Sequence, residues 1–369
     1  MRLRILVLPG DGIGPEVLAQ AVRVLQVVGR LFGHVIECAD APIGGAAIHL
    51  TGVPLPDGTK RLALDADATL LGAVGRPEFD GYPPDRRPER GLLELRSVMG
   101  VYANLRPVRA LPCLLSASPL KPEIVAGTDL VVVRELTAGL YYGKPRGIFG
   151  EGAETRAVDT MAYTRAEIER VARVAFDLAL TRRRHVTSVD KSNVLENSRL
   201  WRQVVTDVAR EYPAVTLTHL YVDNCAMQLI IRPTQFDVLL TENTFGDILS
   251  DEAAVLAGSI GLLPSASLGD VRPSGIRAGL YEPIHGSAPD IAGRNIANPL
   301  GAIGSVAAMF DYGFNLKAEA RAIENAIETV IAGGTVTSDL ARDGHSATTT
   351  EVGDAVCAAI EARHARVVA

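Results

Sequence analysis

Two carboxylates stand four positions apart in the segment FGDILSDEA, which covers residues 245–253. Asp247 is predicted at a helix start, directly after Gly246, and the spacing places Asp251 on the same helix face. Side by side, the two carboxylates repel each other unless a cation or an arginine lies between them. An N-cap followed by a solvated acidic first turn is the commoner origin of such a pair. If a metal binds here, all-oxygen ligation favours Mg²⁺ or Mn²⁺ over zinc.

Three arginines with apolar neighbours could hold an acidic substrate. Arg134 ends the apolar run LVVVR, and an arginine at a strand end of an α/β sheet often faces a ligand crevice. Arg96 in LLELR and Arg106 in YANLRP have similar surroundings. A guanidinium matches a carboxylate through two parallel hydrogen bonds, so the three together suit a substrate with two carboxylates. Three unrelated structural arginines are the alternative.

Candidates for proton transfer lie near the ends of other apolar runs. Lys191 in TSVDKSNVLE follows a predicted strand and could act as an acid or base, the alternative being an exposed lysine at a turn. Asp223 in LYVDNCAM is predicted to end another short strand, and its alternative is a helix N-cap. Tyr141 follows Arg134 in a glycine-rich segment.

Two segments have features of a nucleotide site. In EPIHGSAPDIAGRNIANP, residues 282–299, backbone N–H groups near His285 could hold a pyrophosphate, and Asp290 could accept from a ribose hydroxyl. An ordinary polar loop with a packed histidine is the alternative. In LPGDGIGPEVL, residues 8–18, glycines fall at every second position, whereas the dinucleotide fingerprint needs them at one, three and six. Pro15 suits a first helical position, so this segment is interpreted as a strand-to-helix turn.

The elements that must position these residues follow from the apolar pattern. Short buried runs alternate with helical periodicity, which predicts an α/β fold with a mostly parallel sheet. Asn193 and Glu196 form a capping-box-like start for one helix, and the glycine-rich segment 136–160 is predicted to be an extended arm or hairpin. The predicted strands are 3–8, 68–71, 130–133, 186–189 and 238–241, and the predicted helices are 16–31, 165–179 and 194–211.

Composition limits the classes of protein that remain. The chain has 369 residues, of which 47% are apolar and 22% charged, enough for about two domains with sizeable cores. A net charge of −6 with interspersed signs argues against a nucleic-acid or membrane partner. The uncharged segment 253–269 is interrupted by glycine and proline and is too short to span a bilayer. Widely spaced cysteines predict buried thiols in a reducing compartment, so we expect a cytoplasmic protein; they are Cys38, Cys113, Cys225 and Cys357.

In their order along the chain, these motifs resemble the β-decarboxylating dehydrogenases of 2-hydroxy acids, the isocitrate/isopropylmalate dehydrogenase family. The resemblance covers nearly the whole chain, through GDGIGPE, IGGAAI, LLGAVG, ERGLLELR, NLRP, RELTAGLYYG, VDKSNVLE, YVDNCAMQL, FGDILSDEA, GLLPSASLG and HGSAPDIAGRNIANP. It implies two α/β domains that share a continuous mixed sheet, not a Rossmann fold. Residues 1–101 plus 258–369 would form a cofactor-binding domain. Residues 102–257 would form a domain for substrate, metal and dimerisation, with an arm near 136–160.

The resemblance also implies roles in the reaction. The chain would form a homodimer with shared active sites. Mg²⁺ or Mn²⁺ would bind Asp247 and Asp251 of one subunit together with Asp223 of the partner subunit. A monovalent cation is a further possible cofactor. Lys191 of the partner subunit would take the substrate hydroxyl proton, and Tyr141 would protonate the enol carbon. The substrate-binding residues would be Arg96, Arg106, Arg134, Leu92, Leu93, Asp223, Asn193 and Val194.

Cofactor and substrate preferences follow from two of these segments. Asp290 would repel a 2′-phosphate, which favours NAD over NADP. Separately, Arg76 stands where members of the family often carry a glycine, in a loop that would border the nicotinamide. The apolar Leu92 and Leu93 suit an isopropyl group, so the expected reaction is oxidative decarboxylation of 3-isopropylmalate to 4-methyl-2-oxopentanoate in leucine biosynthesis. The alternatives are a related enzyme for tartrate, malate, isocitrate or homoisocitrate, and a non-catalytic regulatory subunit. The cofactor-binding residues would be Ile13, Gly72, Glu89, His285, Gly286, Ser287, Ala288, Asp290, Ile291, Ala297 and Asn298.

Overall fold

Short runs rich in valine, leucine and isoleucine form the strands, because their side chains pack well on a pleated surface. The computed structural model describes residues 1–341 and 345–368. Each of the five predicted strands lies within an observed one, so those predictions are confirmed. In chain order the strands are β1 (Arg2–Gly10), β2 (Val35–Asp40), β3 (Ala68–Ala73), β4 (Ala103–Arg109), β5 (Asp129–Glu135), β6 (Gly147–Phe149), β7 (Arg156–Val158), β8 (His185–Asp190), β9 (Thr216–Tyr221), β10 (Val238–Thr241), β11 (Pro264–Val271) and β12 (Arg277–Pro283).

The helices between the strands are mostly amphipathic, and several begin at recognisable sequence signals. Pro15 occupies the first turn of α1, and Thr164 with Glu167 forms a capping box at the start of α6. The helices are α1 (Gly14–Leu31), α2 (Gly44–Thr51), α3 (Asp57–Asp65), α4 (Pro88–Met99), α5 (Pro122–Val125), α6 (Arg165–Leu180), α7 (Glu196–Ala209), α8 (Val222–Ile231), α9 (Asn243–Ala254), α10 (Leu300–Ala308), α11 (Lys317–Ala332) and α12 (Thr349–Val368).

The chain divides into two units. Unit 1 comprises Met1–Val101 and Gly258–Ala369, and unit 2 comprises Tyr102–Ala257. These bounds coincide with those implied by the family resemblance, whereas the roles of the two units stay predictions. Both units combine strands with flanking helices, so the predicted α/β class is confirmed.

In unit 1 the strands are hydrogen-bonded in the order β2-β1-β3-β12-β11. Their pairings are parallel except for β11 with β12, which is antiparallel. The apolar faces of β1 and β3 are buried, and α1, α10 and α12 also contribute fully buried side chains. The turn after β1 therefore lies at the carboxyl edge of a parallel group of strands, where ligands of α/β proteins commonly bind.

In unit 2 the strands are hydrogen-bonded in the order β4-β5-β10-β8-β9, and only β4 with β5 is antiparallel. Thr241 of β10 lies in register with Arg134 of β5 and with Val189 of β8. The carboxyl ends of three neighbouring strands consequently meet at one edge. The register places Arg134, the start of α9 and the residue before Lys191 at that edge.

Three local predictions about this edge are wrong. The helix predicted over residues 194–211 is present from Glu196 to Ala209, but its N-cap Leu195 makes no side-chain hydrogen bond, so the predicted capping box of Asn193 and Glu196 is wrong. The carbonyl of Lys191 accepts from the N–H groups of Val194 and Leu195, which makes a turn where the helix was expected.

The two acidic motifs were also misplaced along their helices. Helix α9 starts at Asn243, four residues before Asp247, because the Glu242 side chain accepts the N–H groups of Thr244 and Phe245 as its N-cap. Asp223 neither ends a strand nor caps a helix but lies in the first turn of α8, with Tyr221 as the N-cap.

Other predictions have mixed outcomes. The segment 136–160 contains an antiparallel hairpin of β6 and β7, as expected. All four cysteines are free thiols, but Cys38 and Cys113 are exposed, so the prediction of burial holds only for Cys225 and Cys357. Within the described part of the chain, no helix combines the length and apolarity that crossing a bilayer requires.

Candidate active site

One face of α9 carries three polar side chains at intervals of one helical turn: Asn243, Asp247 and Asp251. Arg134, at the end of β5, is almost fully buried and lies against this face. Its Nε and Nη2 donate to Asn243 Oδ1 at 2.9 and 2.7 Å, and its Nη1 donates to Asp247 Oδ1. The arginine is therefore held in one orientation by two successive turns of the helix.

Arg106 on β4 lies between the two carboxylates of α9. Its Nη1 donates to Asp251 Oδ1 at 3.0 Å and to Ser250 Oγ at 2.7 Å, and its Nη2 lies 3.5 Å from Asp247 Oδ1. The repulsion expected for carboxylates one turn apart is thus offset by an arginine between them. The alternative of an N-cap with a solvated acidic first turn is wrong for this pair.

Tyr141 lies in the short turn after β5 and contacts the same cluster. Its hydroxyl donates to Asp247 Oδ2 at 2.9 Å, and the Arg134 guanidinium lies 5.7 Å from its ring centroid. Burial, together with the negative charge and hydrogen bond of Asp247, raises the pKa of Tyr141 to about 12. The phenol is therefore protonated at neutral pH and can act as a proton donor.

The two carboxylates of α9 have opposite pKa shifts. Burial raises the pKa of Asp247, but the charges of Arg134 and Arg106 and the hydrogen bonds from Tyr141 and Arg134 outweigh it, so the net shift is downward. At Asp251 burial dominates and the pKa is raised, despite attraction by Arg106. Asp247 is consequently ionised at neutral pH, and a cation would favour the ionised form of both groups.

The donor set of this cluster fits a hard divalent cation. Asp247 and Asp251 offer carboxylate oxygens on one helix face, and the side chain of Asp251 is 57% exposed. Among the described residues, however, no group of three or more histidine, cysteine or acidic side chains could hold a metal. Two ligands in one chain suit a site that takes a further ligand from elsewhere.

Asp223, predicted as that further ligand, lies in a different cluster. Lys191 Nζ donates to Asp223 Oδ1 at 2.5 Å and lies 5.8 Å from the centroid of the Tyr221 ring. The hydrogen bond and charge of Lys191 hold the pKa of Asp223 below its usual value. Asn193 and Val194 follow in the turn before α7, where Val194 is exposed. The structure thus pairs the predicted base with the predicted metal ligand.

In unit 1 the predicted substrate residues lie on α4. Leu92 and Leu93 are half-buried, and Arg96 is buried with its Nη2 donating to Glu282 Oε1 at 2.6 Å. Arg96 thus has an acidic partner within its own unit, and its proposed contact with a substrate carboxylate stays a prediction.

The glycine-rich turn after β1 is organised by the buried carboxylate of Asp11. The N–H groups of Gly45 and Ala46 donate to its two oxygens at 2.8 Å, and the Gly75 N–H donates at 3.0 Å. Gly12 has a φ of +57°, and a Cβ there would lie 1.9 Å from the carbonyl oxygen of Ser287. The turn therefore needs glycine so that the loop after β12 can approach the backbone closely.

The loop between β12 and α10 lies directly against this turn. The Ile13 N–H donates to the Ser287 carbonyl at 2.8 Å, so the two predicted cofactor residues are adjacent. His285 Nδ1 donates to the Gly286 carbonyl at 2.9 Å, which leaves Nε2 as a buried acceptor without a protein partner. Burial lowers the pKa of His285 and keeps the ring neutral. Such an orphaned acceptor fits a ligand that brings its own N–H, as an adenine does.

The remaining predicted cofactor residues lie around the same loop. Asp290 is exposed, and Ala288 adopts a positive φ of 38°. Asn298 Nδ2 donates to Asp339 at 2.9 Å, while its Oδ1 caps the N–H of Leu300 at the start of α10. The others are the buried Gly72 and Ala297, the half-buried Ile291 and the exposed Glu89 and Gly286.

Sequence reasoning missed two residues that organise these clusters. Asn243 holds two nitrogens of Arg134, and its position one turn before Asp247 was a usable signal, because residues four apart share a helix face. The role of Asp11 is harder to predict from the sequence. An acidic residue between two glycines is common in turns, and this pattern does not indicate that four N–H groups donate to its carboxylate.

The chain belongs to the isocitrate/isopropylmalate dehydrogenase family, because the family's sequence profile matches residues 4–356. The names of individual relatives are more specific than that of the family. It is 54% identical over 366 residues to the 3-isopropylmalate dehydrogenase of Shouchella clausii, with 99% of each chain covered. It is 57% identical to that of Geobacillus kaustophilus over 341 residues, with 92% of this chain and 91% of the relative covered.

Solved structures agree on the fold. An isocitrate dehydrogenase from Methylococcus capsulatus superimposes with a TM-score of 0.84 at 35% identity, covering 97% of this chain and 99% of the other. A β-decarboxylating dehydrogenase from Thermococcus kodakarensis gives 0.78 at 37% identity, covering 98% and 96%. The family predicted from the ordered motifs is therefore confirmed.

Proposed function

We propose that this chain catalyses the NAD-dependent oxidative decarboxylation of 3-isopropylmalate to 4-methyl-2-oxopentanoate, a step of leucine biosynthesis. One observation carries the proposal: curated 3-isopropylmalate dehydrogenases match essentially the whole chain at 54–57% identity. The isocitrate dehydrogenase of similar fold is only 35% identical. The tyrosine, lysine, arginines and carboxylates needed for the reaction are all present, which argues against a non-catalytic regulatory subunit.

The reaction needs two groups that come from outside the chain. NAD would accept the hydride from C2, and Mg²⁺ or Mn²⁺ would stabilise the negative charge that develops on the substrate oxygen. The cation is proposed to bind Asp247 and Asp251 of one subunit and Asp223 of the partner subunit. The loop from His285 to Asn298, with Ile13, Gly72 and Glu89, is proposed to hold NAD, and Asp290 to select it over NADP.

The observed environment of one of the two proposed proton-transfer residues, Tyr141, suits its role. Lys191 of the partner subunit is proposed to accept the proton of the substrate hydroxyl as C2 is oxidised, which requires that it first lose the proton it donates to Asp223. Tyr141 donates its proton to the enol carbon after CO₂ leaves, which suits a phenol that is protonated at neutral pH. Arg106 and Arg134 are proposed to bind carboxylates of the substrate, replacing some of their hydrogen bonds to α9 with hydrogen bonds to the substrate. Arg96 of α4 is proposed as a further arginine that binds a substrate carboxylate.

Substrate choice is proposed to depend on α4. Leu92 and Leu93 are half-buried and present apolar surface that suits an isopropyl group. A substrate with a carboxylate in that place would lose hydration without gaining a partner, which costs far more than an absent methylene. Smaller acids such as malate or tartrate would fit but leave part of the surface uncovered.

We further propose that the chain forms a homodimer with shared active sites. Helices α8 and α9 expose large apolar side chains, a feature typical of protein interfaces. Among the described residues no three acidic, histidine or cysteine side chains form a group that could hold a metal, so a ligand from a second chain would complete the proposed site. The exposed residues are Met227, Ile230 and Ile231 on α8, Ile248 on α9 and Val255 directly after α9.

A cytoplasmic location is part of the same proposal. The cysteines Cys38, Cys113, Cys225 and Cys357 are all free thiols. Free thiols persist in a reducing compartment, whereas exposed cysteines of secreted proteins are usually paired.

An assay of NADH formation with 3-isopropylmalate and Mn²⁺ tests the proposal directly. We expect kcat/KM to be highest for 3-isopropylmalate when it is compared with isocitrate, homoisocitrate, malate and tartrate under the same conditions. A higher kcat/KM for isocitrate would overturn the assignment of substrate. No turnover of any of these acids by folded, metal-supplemented protein would overturn the assignment as an enzyme.

A further inference from the structure

Arg76, in the loop after β3, carries a positive charge beside the proposed NAD site. Its Nε donates to Asp11 Oδ1 at 2.9 Å, and Asp11 is fully buried. The side chain of Arg76 is nevertheless 37% exposed. One end of the guanidinium is therefore fixed by the turn that follows β1, while the group remains accessible to a ligand.

The exposed part of Arg76 lines an open cleft of about 370 Å³. The cleft is formed by the glycine turn, by the loop that contains Arg76 and by the loop after β12, and its lining residues are Gly12, Arg76, Pro77, Glu78, Pro289 and Ala292. All of them belong to unit 1. Among these lining residues Arg76 supplies the positive charge and Glu78 a negative one.

The surroundings of Gly75 place this cleft along the proposed path of the dinucleotide. A Cβ at Gly75 would lie 3.1 Å from Glu89 Oε1 and 3.5 Å from Ser287 Oγ. Glu89 and Ser287 both belong to the residues proposed to bind NAD, and Ser287 leads to Asp290, proposed for the adenosine ribose. The family resemblance places the loop of Arg76 beside the nicotinamide, and the pyrophosphate is the part of NAD that joins the nicotinamide end to the adenosine end.

The local charges leave the guanidinium able to bind an anion. Asp11 receives three backbone N–H donors besides Arg76, so the arginine is not needed to satisfy it alone. Glu78 lies 3.5 Å from Arg76 Nη1 but accepts the closer donor His49 Nε2, at 2.7 Å. Two carboxylates thus engage only two of the five N–H donors of the guanidinium.

We propose that Arg76 binds the pyrophosphate of NAD and that Asp11 positions it for this contact. The inference rests on the proposed use of NAD. It would give this chain a charged side-chain contact with the phosphates of the dinucleotide. Because a guanidinium pairs with phosphate oxygens through parallel hydrogen bonds, the contact would contribute to affinity and to the alignment of the dinucleotide.

Binding to the full-length protein tests the inference without relying on turnover. Dissociation constants of NAD, ADP and adenosine are measured by calorimetry for the parent protein, for Arg76→Gln and for the control Arg61→Gln, which removes an exposed arginine of α3. We expect Arg76→Gln to weaken NAD and ADP about tenfold and to leave adenosine unchanged, since only the first two carry a pyrophosphate. The loss should shrink at high salt.

Three outcomes would overturn the inference. Unchanged affinity for NAD and ADP would show that Arg76 does not contact the phosphates. Equal weakening of all three ligands would show that it only shapes the site, and an equal loss in Arg61→Gln would show a general effect of charge. Thermal melting verifies that both variants are folded. If the parent protein itself fails to bind NAD, the proposed function fails instead, so the two failures are distinguishable.

Discussion

At the scale of single residues, the site is dominated by charges that compensate one another. Arg134 and Arg106 come from β5 and β4, and their partners Asp247 and Asp251 come from α9. Neither arginine could be left buried without an acceptor, because an unpaired buried charge is costly. The same groups that are proposed to bind substrate and metal therefore also stabilise the unliganded protein.

Replacing Tyr141 with phenylalanine tests the proposed proton donor. We expect kcat to fall about a hundredfold or more, because general acid catalysis contributes on that order, while KM changes little. The loss of one hydrogen bond to Asp247 should lower the free energy of unfolding by only about 1 kcal/mol. Steady-state kinetics and urea denaturation measure the two effects. A variant with full kcat would exclude Tyr141 as the donor.

The lowered pKa of Asp247 makes its contribution to stability depend on pH. A carboxyl with a lowered pKa in the folded state stabilises the fold above its unfolded pKa, near 4, and loses that contribution as the pH falls through the folded value. Asp247→Asn should therefore reduce the free energy of unfolding at pH 7 but have a smaller effect at pH 3. Urea denaturation at both values checks this, and an equal reduction at both would contradict it. Asp354→Asn, at an exposed ion pair, serves as the control.

At the scale of secondary structure elements, the position of α9 decides which residues face Arg134. Glu242, buried at its N-cap, accepts from Phe245 N at 2.6 Å, from Thr244 N at 2.9 Å and from the Tyr163 hydroxyl at 3.1 Å. The sequence predicted the element but placed its start at Asp247. Capping preferences favour an aspartate after glycine, whereas a glutamate that reaches back to its own helix has no equally clear signal.

Replacement of Glu242 with alanine tests this cap. We expect the free energy of unfolding to fall by about 1–2 kcal/mol or more, since two helix N–H groups and the Tyr163 hydroxyl lose their acceptor. Glu242→Gln keeps an acceptor oxygen and should recover part of that loss. Chemical denaturation of both variants provides the measurement. Identical stabilities of the alanine variant and the parent would show that the cap is not needed.

At the scale of the whole molecule, the proposal requires two chains for each active site. Lys191→Ala and Asp247→Ala should each be inactive alone, because each removes a residue from both sites of a homodimer. After subunit exchange, half of the dimers are mixed and each mixed dimer has one intact site, so about a quarter of parental activity should return. Sedimentation and co-purification of differently tagged chains verify that mixed dimers form. Mixed dimers without activity would refute shared sites, as would an active monomer.

The sequence alone determined the class of fold, most strand positions and the identity of the family, because these depend on local periodicity and on motifs within single elements. Only the tertiary structure decided which charges meet. Arg106 and Asp251 stand 145 positions apart, and Arg134 and Asp247 stand 113 apart. Sequence spacing determines neighbours only within an element, whereas the register of β10 with β5, which places Thr241 beside Arg134, determines neighbours between elements. The paired carboxylates were therefore visible in the sequence, and the arginine between them was not.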